Sequence, residues 1–504
     1  MPLPFLASLY FDGLPPWFPD PIRLLKVSTA LTTIAATKWY TSGRSNGSER
    51  DMHGRVVLMT GGTSGIGAAT AADLAQRGAQ LVLLTRQPPT DPFLVEYIDD
   101  LRARTANQMI YAEQVDLADL YSVRQFATRW IDNAPPRRLD MIVLCAATMV
   151  PPGGRRVETA EGVEMTWMVN FLANFHLLGI LSPAIRAQPF DRDVRIVVPT
   201  CSSYISAPKL DGGEEQQQQL VGKKKGGKDG QDWTPGKAYA RSKLALMTFA
   251  KAYQKHLDAY IRPDELPMNA KVVIVDPGLA RSPGTRRWLT RGSLWGLLLY
   301  LVFYPFAWLF LKSCEMAAQS LLFATMESSL VRPPGARLIK ECMEVDCARK
   351  DVEDEEVAKK LWESSDKLIE WIEKEQAVKR ARAKKEQEKK DEEAKKEQEK
   401  KDEAAKNAAQ VEEIESLLGA IKTGKAKEAQ KKNGKKGKAG GNIWGRPTHS
   451  PLRNSSHCHP VFFTNKLRRP PLHVLSGSQS SPVAHGYVYQ DAPRGGEKSA
   501  GPRL

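Results

Sequence analysis

The chain predicts a doubly wound α/β fold, a parallel sheet with helices on both faces, and three observations carry that expectation. Between residues 54 and 278 six short, near-continuous apolar runs recur, the pattern of strands buried on both sides. Longer segments of helical periodicity separate them. A glycine-rich turn, TGGTSGIG from Thr60 to Gly67, stands between the first run and the first helical segment.

Each element follows from local composition. Strands are expected at 55–60 (RVVLMT), 80–85 (QLVLLT), 109–116 (MIYAEQVD), 139–147 (LDMIVLCAA), 195–200 (RIVVPT) and 271–278 (KVVIVDPG), all rich in β-branched residues. Crossover helices are expected at 65–77, 119–132, 161–187 and 238–257. The polar, low-complexity stretch between Asp211 and Gly236 interrupts this rhythm and must loop out.

Outside the α/β region the composition changes. Residues 1–53 are apolar and aromatic, broken by prolines and without a basic leader, which fits an interfacial or core-capping segment better than a signal peptide. Residues 54–290 form the dinucleotide-binding type of domain. Within 291–312 the run from Gly292 to Leu311 holds twenty residues without a charge, enough for a helix about 30 Å long. Residues 313–378 are expected to return to the catalytic domain, closing with an amphipathic helix at 359–375. In 379–439 an eleven-residue unit (KKEQEKKDEEA, then KKEQEKKDEAA) repeats with almost no apolar stripe, as in a lone charged helix or a disordered tail rather than a coiled coil. Residues 440–504, rich in Ser, Pro, His and Arg, read as a disordered extension.

Charge and cysteine usage exclude some function classes. The 504 residues carry 73 basic and 58 acidic side chains, a net charge of +15, but much of the excess sits in lysine tracts at 222–228 and 379–438. Such tracts are solvated, and nucleic acid is not the primary partner they suggest. Six scattered cysteines lack any C-x-x-C spacing, which argues against a metal site and a disulfide framework and for a reducing compartment.

Two motifs carry chemistry. Glycines at 61, 65 and 67 permit a tight strand-to-helix turn and let the backbone approach a pyrophosphate held by the helix N-terminus. Tyr239 and Lys243, in GKAYARSK, stand four residues apart and so share one helix face. Together with Asp116-Leu117, Asn170, Ser202-Ser203 and Pro277-Gly278 with Ser282, in that order, the chain resembles the short-chain dehydrogenase/reductase family, in its retinol dehydrogenase and hydroxysteroid dehydrogenase branch.

The resemblance implies a Rossmann fold and hydride transfer between a nicotinamide and an alcohol or carbonyl. It implies cofactor contacts from Gly61, Thr63, Ser64, Gly65, Ile66, Gly67, Asp116, Leu117, Ala146, Pro277, Gly278 and Ser282, with Tyr239 and Lys243 touching the nicotinamide half. Tyr239 would give or take the proton, with Lys243 and the positive, oxidised nicotinamide lowering its pKa. Asn170 would hold a water linking Lys243 to solvent, and a serine would orient the substrate oxygen. The serine register is ambiguous. Counting from RIVV lands near Cys201, TCSSY offers both Ser202 and Ser203, and Ser202 is preferred.

Leu144-Cys145-Ala146-Ala147 replaces the family's N-N-A-G, keeping small residues under the cofactor but losing amides that brace the fold. After the second strand the chain reads Thr85-Arg86-Gln87, with no carboxylate to bind a ribose 2′-hydroxyl and with Arg86 placed for a 2′-phosphate, which favours NADP over NAD. The apolar run beside the site implies a lipophilic substrate and a membrane surface as partner. A Pro305-kinked dip into the cytosolic leaflet of the endoplasmic reticulum or a lipid droplet is preferred to a full span or a buried helix. The resemblance leaves room for a homodimer. The alternative function is a catalytically weak dinucleotide-binding scaffold at a membrane.

Overall fold

The structure, a computed structural model, describes residues 20–211, 213 and 233–433. Its helices are α1 (Pro21–Ser42), α2 (Gly65–Gln76), α3 (Pro92–Thr105), α4 (Leu120–Ile131), α5 (Met165–Arg186) and α6 (Pro235–Asp258). They continue as α7 (Pro283–Leu289), α8 (Leu294–Val302), α9 (Tyr304–Phe310), α10 (Cys314–Met326) and α11 (Glu355–Asn433). The strands are β1 (Val56–Thr60), β2 (Gln80–Thr85), β3 (Ile110–Gln114), β4 (Met141–Leu144), β5 (Val194–Pro199), β6 (Ala270–Asp276), β7 (Arg337–Lys340) and β8 (Met343–Val345).

The strands form one sheet in the order β3-β2-β1-β4-β5-β6-β7-β8, parallel throughout except for the antiparallel β7–β8 hairpin. The order reverses between β1 and β4, so the carboxyl ends of these strands flank the crevice where α/β sheets bind ligands. Alternate residues of each strand enter different cores. Val57 and Met59 pack with Leu74, Leu94 and Leu321, whereas Val56 and Leu58 pack with Phe126, Phe171 and Leu246. Every residue of β1, β4, β5 and β6 is buried, which is why these strands read as continuous apolar runs.

The helix α5 is long and apolar enough to cross a membrane, but two thirds of its apolar window (67%) is buried in the protein. Apolarity there reflects core packing: Trp167, Phe171 and Phe175 stack in series against Phe249 and Trp362. The uncharged run from Gly292 to Leu311 instead divides into α8 and α9, with Pro305 in the first turn of α9. Helices of these lengths rise only about 14 and 10 Å. Their side chains are exposed, with Leu294 and Trp295 at 84% and 80%. Both ends of the excursion return to one place, because Ala280 and Lys312 form a parallel bridge in which Arg281 N donates to Lys312 O at 2.9 Å and Lys312 N to Leu279 O at 3.0 Å. This geometry rules out a full span by the run, since α10 then packs on α2 and the sheet.

Contacts divide the chain into Met1–Lys379 and Arg380–Leu504. The first turns of α11 bury Leu361, Leu368, Ile369 and Ile372. Farther along, the charged repeats are exposed and carry i,i+4 pairs such as Glu392–Lys396 and Glu397–Lys401. The stretch 440–504 and most of the insertion before Gly236 lie outside the described residues.

Candidate functional site

The glycine turn has the geometry the sequence implies. Gly61 has φ +67°, and a Cβ there would lie 2.7 Å from Ala146 N; a Cβ on Gly67 would lie 2.1 Å from Gly61 O. No larger residue fits either position. Ser64 precedes α2 in extended conformation and makes no side-chain cap, leaving the first amides of the helix, at Gly65 and Ile66, to face an anion. Beside the turn, Ala146 N donates to Thr60 Oγ1 at 3.1 Å, so Thr60 supplies bracing that the missing N-N-A-G amides would give.

Other expected cofactor residues cluster around the same crevice or its rim. Asp116, one turn after β3, accepts from Ala118 N at 2.9 Å, and Leu117 behind it is buried. Gly278 N donates to Asp276 Oδ1 at 3.0 Å, and Ser282 caps α7 by accepting from Thr285 N at 3.2 Å. Ser282 and Pro283 approach Gly65 closely, so the chain after Pro277 closes over the turn; Thr63 lies in the turn itself. Arg86 is exposed just past β2, and its guanidinium makes no ion pair among the described residues. These residues fit a dinucleotide: the glycine cradle would hold the pyrophosphate, and the crevice beyond Ala146 would take the nicotinamide half.

On α6 the helical repeat aims Tyr239 and Lys243 toward the end of β5. Lys243 is buried and its ammonium donates to Pro199 O at 3.0 Å, while its Nζ lies 5.9 Å from the Tyr239 ring centroid. Burial pushes the Tyr239 hydroxyl above its ordinary range, and Cys201 and Asp276 push the same way. Burial also pulls Lys243 down, with Cys201, Cys145 and Asp276 opposing. Cys145, packed beneath the turn, is pushed up to about 12 by burial, with Lys243 opposing, and stays a neutral thiol.

The preferred serine is displaced. Ser202 opens a 3-10 turn and is engaged elsewhere: it donates to Asp276 Oδ2 at 2.6 Å and accepts from Lys340 Nζ at 3.2 Å. Ser203 reaches Cys201 Sγ at 2.8 Å. Cys201 faces Tyr239, with Sγ 3.8 Å from the hydroxyl oxygen. Its extended backbone (φ −158°) keeps it in strand alternation, whereas the turn rotates the next residues away. Counting from RIVV located this position, and only the residue type argued against it.

Asn170 sits in a five-residue π turn, Met168–Leu172, inside α5. Its amide accepts from Thr148 N at 2.8 Å and donates to Thr148 O and Ser242 Oγ, each at 3.0 Å. The side chain thus ties the loop after β4 to α6. It is committed to this brace, and its main-chain oxygen accepts from Asn174 Nδ2 at 3.0 Å.

The short chain dehydrogenase family model matches residues 55–204. The uncharacterized oxidoreductase pbr1 of Schizosaccharomyces pombe is 42% identical over 386 residues, covering 76% of this chain and 99% of that protein. The chain belongs to the short-chain dehydrogenase family. Retinol dehydrogenase 13 of Mus musculus is 30% identical over 350 residues, covering 69% of this chain and 94% of its own length. Polyprenol dehydrogenase of Mus musculus is 32% identical over 311 residues, covering 61% and 82%. As a family member the protein is an oxidoreductase that uses a nicotinamide dinucleotide and acts on alcohols or their carbonyl counterparts.

Proposed function

We propose that the protein interconverts a lipophilic alcohol and its carbonyl with NADP(H) at a membrane surface. The observation that carries this reading is the convergence of Cys201, Tyr239 and Lys243 at the carboxyl edge of β5, beside the glycine cradle. Relatives named for retinol and polyprenol support a lipophilic substrate. Arg86, unpaired beyond β2, supports a cofactor with a 2′-phosphate.

When bound, the reduced nicotinamide supplies the hydride to the carbonyl carbon. Tyr239 gives its proton to the oxygen, and its raised pKa keeps it in the acid form that reduction requires. Lys243 holds a positive charge near the phenol, which favours the phenolate as the proton leaves. Cys201 Sγ–H stands where it can hydrogen-bond the same oxygen, the role the sequence assigned to Ser202. Asn170 keeps α6 registered against the loop after β4, and so positions Tyr239 and Lys243.

The exposed α8 and α9 support immersion in one leaflet of a membrane. Five described cysteines are free, in keeping with the cytosolic face of the endoplasmic reticulum or of a lipid droplet. The test is NADPH and NADH oxidation by the full chain in liposomes against retinoid, steroid and polyprenyl carbonyls. Turnover of at least one with preference for NADPH supports the reading, and turnover confined to small water-soluble carbonyls refutes it.

A further inference from the structure

Between α7, α8, α9 and the start of α10 lies a cleft of about 440 Å³ with two unlike walls. Arg281, Ser282 and Arg286 line one side, and Leu297, Tyr300 and Leu301 line the other. Arg281 is fixed by the backbone bridge to Lys312 and donates to the Tyr304 hydroxyl at 3.3 Å, yet its buried Nε has no hydrogen-bond partner.

A second cation reaches the same region from the N-terminal helix. Lys38 of α1 donates to Trp308 O at 2.7 Å and lies over the Trp308 ring at 5.1 Å, while Thr41 Oγ1 donates to Leu309 O at 2.6 Å. These bonds clamp α1 to α9. Burial, with the charge of Arg281 added, holds Lys38 below the ordinary lysine range, so the two cations feel each other.

Charge beside the cleft is mostly positive: residues 21–42 hold three basic side chains, of which Arg23 pairs with Asp20 at 3.8 Å, and residues 281–311 hold four with no acid between them. Among the described residues Arg281, Arg286, Arg287 and Arg291 form no ion pair. Around them α1, α8 and α9 expose Leu25, Leu31, Leu298 and Phe306. Cations gathered without counter-charge beside exposed apolar helices are stabilised by an anion that carries hydrocarbon with it.

We infer that this cleft is a binding site for the phosphate headgroup of an anionic phospholipid, with the acyl chains lying along α1, α8 and α9. Arg281 and Arg286 contact the phosphate, and Lys38 adds positive charge near Arg281. The inference rests on the membrane reading above and adds a headgroup preference and a second helix, α1, to it.

The test is flotation of the full chain with vesicles of phosphatidylcholine alone and of phosphatidylcholine with about one-fifth phosphatidylserine. Wild type is expected to bind the anionic vesicles at least about tenfold more tightly, with the advantage shrinking as salt rises. An Arg281→Gln, Arg286→Gln variant is expected to lose that preference while binding NADPH and neutral vesicles as before. The variant leaves the lysine tracts of the C-terminal region intact, so a preference that survives it overturns the site. Loss of NADPH binding in the variant overturns it too, by assigning the cations to the cofactor. Soluble glycerophosphoserine binding as tightly as vesicles would identify a free-phosphate site instead and also overturn it. Equal wild-type binding to both vesicles removes the headgroup site but leaves the membrane reading, and binding to neither removes both.

Discussion

Replacing Cys201 by Ala removes the thiol that faces the Tyr239 hydroxyl and that the proposed mechanism assigns to the substrate oxygen. A hydrogen bond to a group gaining charge contributes roughly 1.5–3 kcal/mol, and a thiol is a weak donor, so the expected loss is about 1–2 kcal/mol of transition-state stabilisation. That corresponds to about a 5- to 30-fold fall in kcat. Ser203, 2.8 Å from the thiol, is placed to substitute partly, so the double variant Cys201→Ala, Ser203→Ala should fall further. Cys201→Ser should keep or raise turnover, because a hydroxyl donates more strongly than a thiol. It should also lose sensitivity to maleimide. The assay is steady-state NADPH oxidation with a lipophilic carbonyl, with cofactor affinity measured separately to exclude misfolding. Full activity in Cys201→Ala, with activity abolished in Ser202→Ala, would refute the reasoning and restore the serine as the orienting group.

Three further outcomes follow from the same geometry. Because Tyr239 titrates above its ordinary range, carbonyl reduction should stay flat from about pH 6 to pH 9, while alcohol oxidation, which needs the phenolate, should climb over that range; a falling reductive limb near neutrality would contradict the burial argument. Arg86→Ala should weaken NADPH binding about tenfold, about 1.4 kcal/mol, and leave NADH unchanged in fluorescence titrations; equal losses for both would remove Arg86 from the 2′-phosphate. Burial, with Glu370 adding to it, raises Asp366 to about 7 from 3.8, so the folded state holds a proton that the unfolded chain releases, and stability falls as pH climbs between those values. Asp366→Asn should therefore stabilise by about 1–2 kcal/mol at about pH 8, after allowance for solvent at its exposed edge, and by much less at about pH 5 in thermal melts.

The central sheet was legible because each buried parallel strand is a bare apolar run bounded by helical segments. β7 and β8 were not. They are four and three residues long, and Glu341 and Cys342 link them at φ +54° and +56° without the Asn or Gly that marks such turns. The helix α1 was hidden by its β-branched content, Thr29 to Thr37, although Asp20 caps it and Pro21 occupies its first position. In the site, Tyr239, Lys243 and the glycine turn were singled out by their order along the chain and the family resemblance, since their spacing alone is weak evidence. Cys201 was not, because position and residue type gave opposite answers and only the backbone turn at Ser202 decides between them. Spacing brings Lys243 near Tyr239, but it does not report the burial that pushes the hydroxyl above its ordinary range.

The most direct test of the account is single-turnover reduction of a lipophilic carbonyl by the NADPH-loaded protein, wild type against Tyr239→Phe. The account predicts NADPH affinity within about twofold and hydride transfer slower by at least about a hundredfold, since the phenol is the proton donor in the proposed mechanism. Equal rates in the two proteins would contradict it.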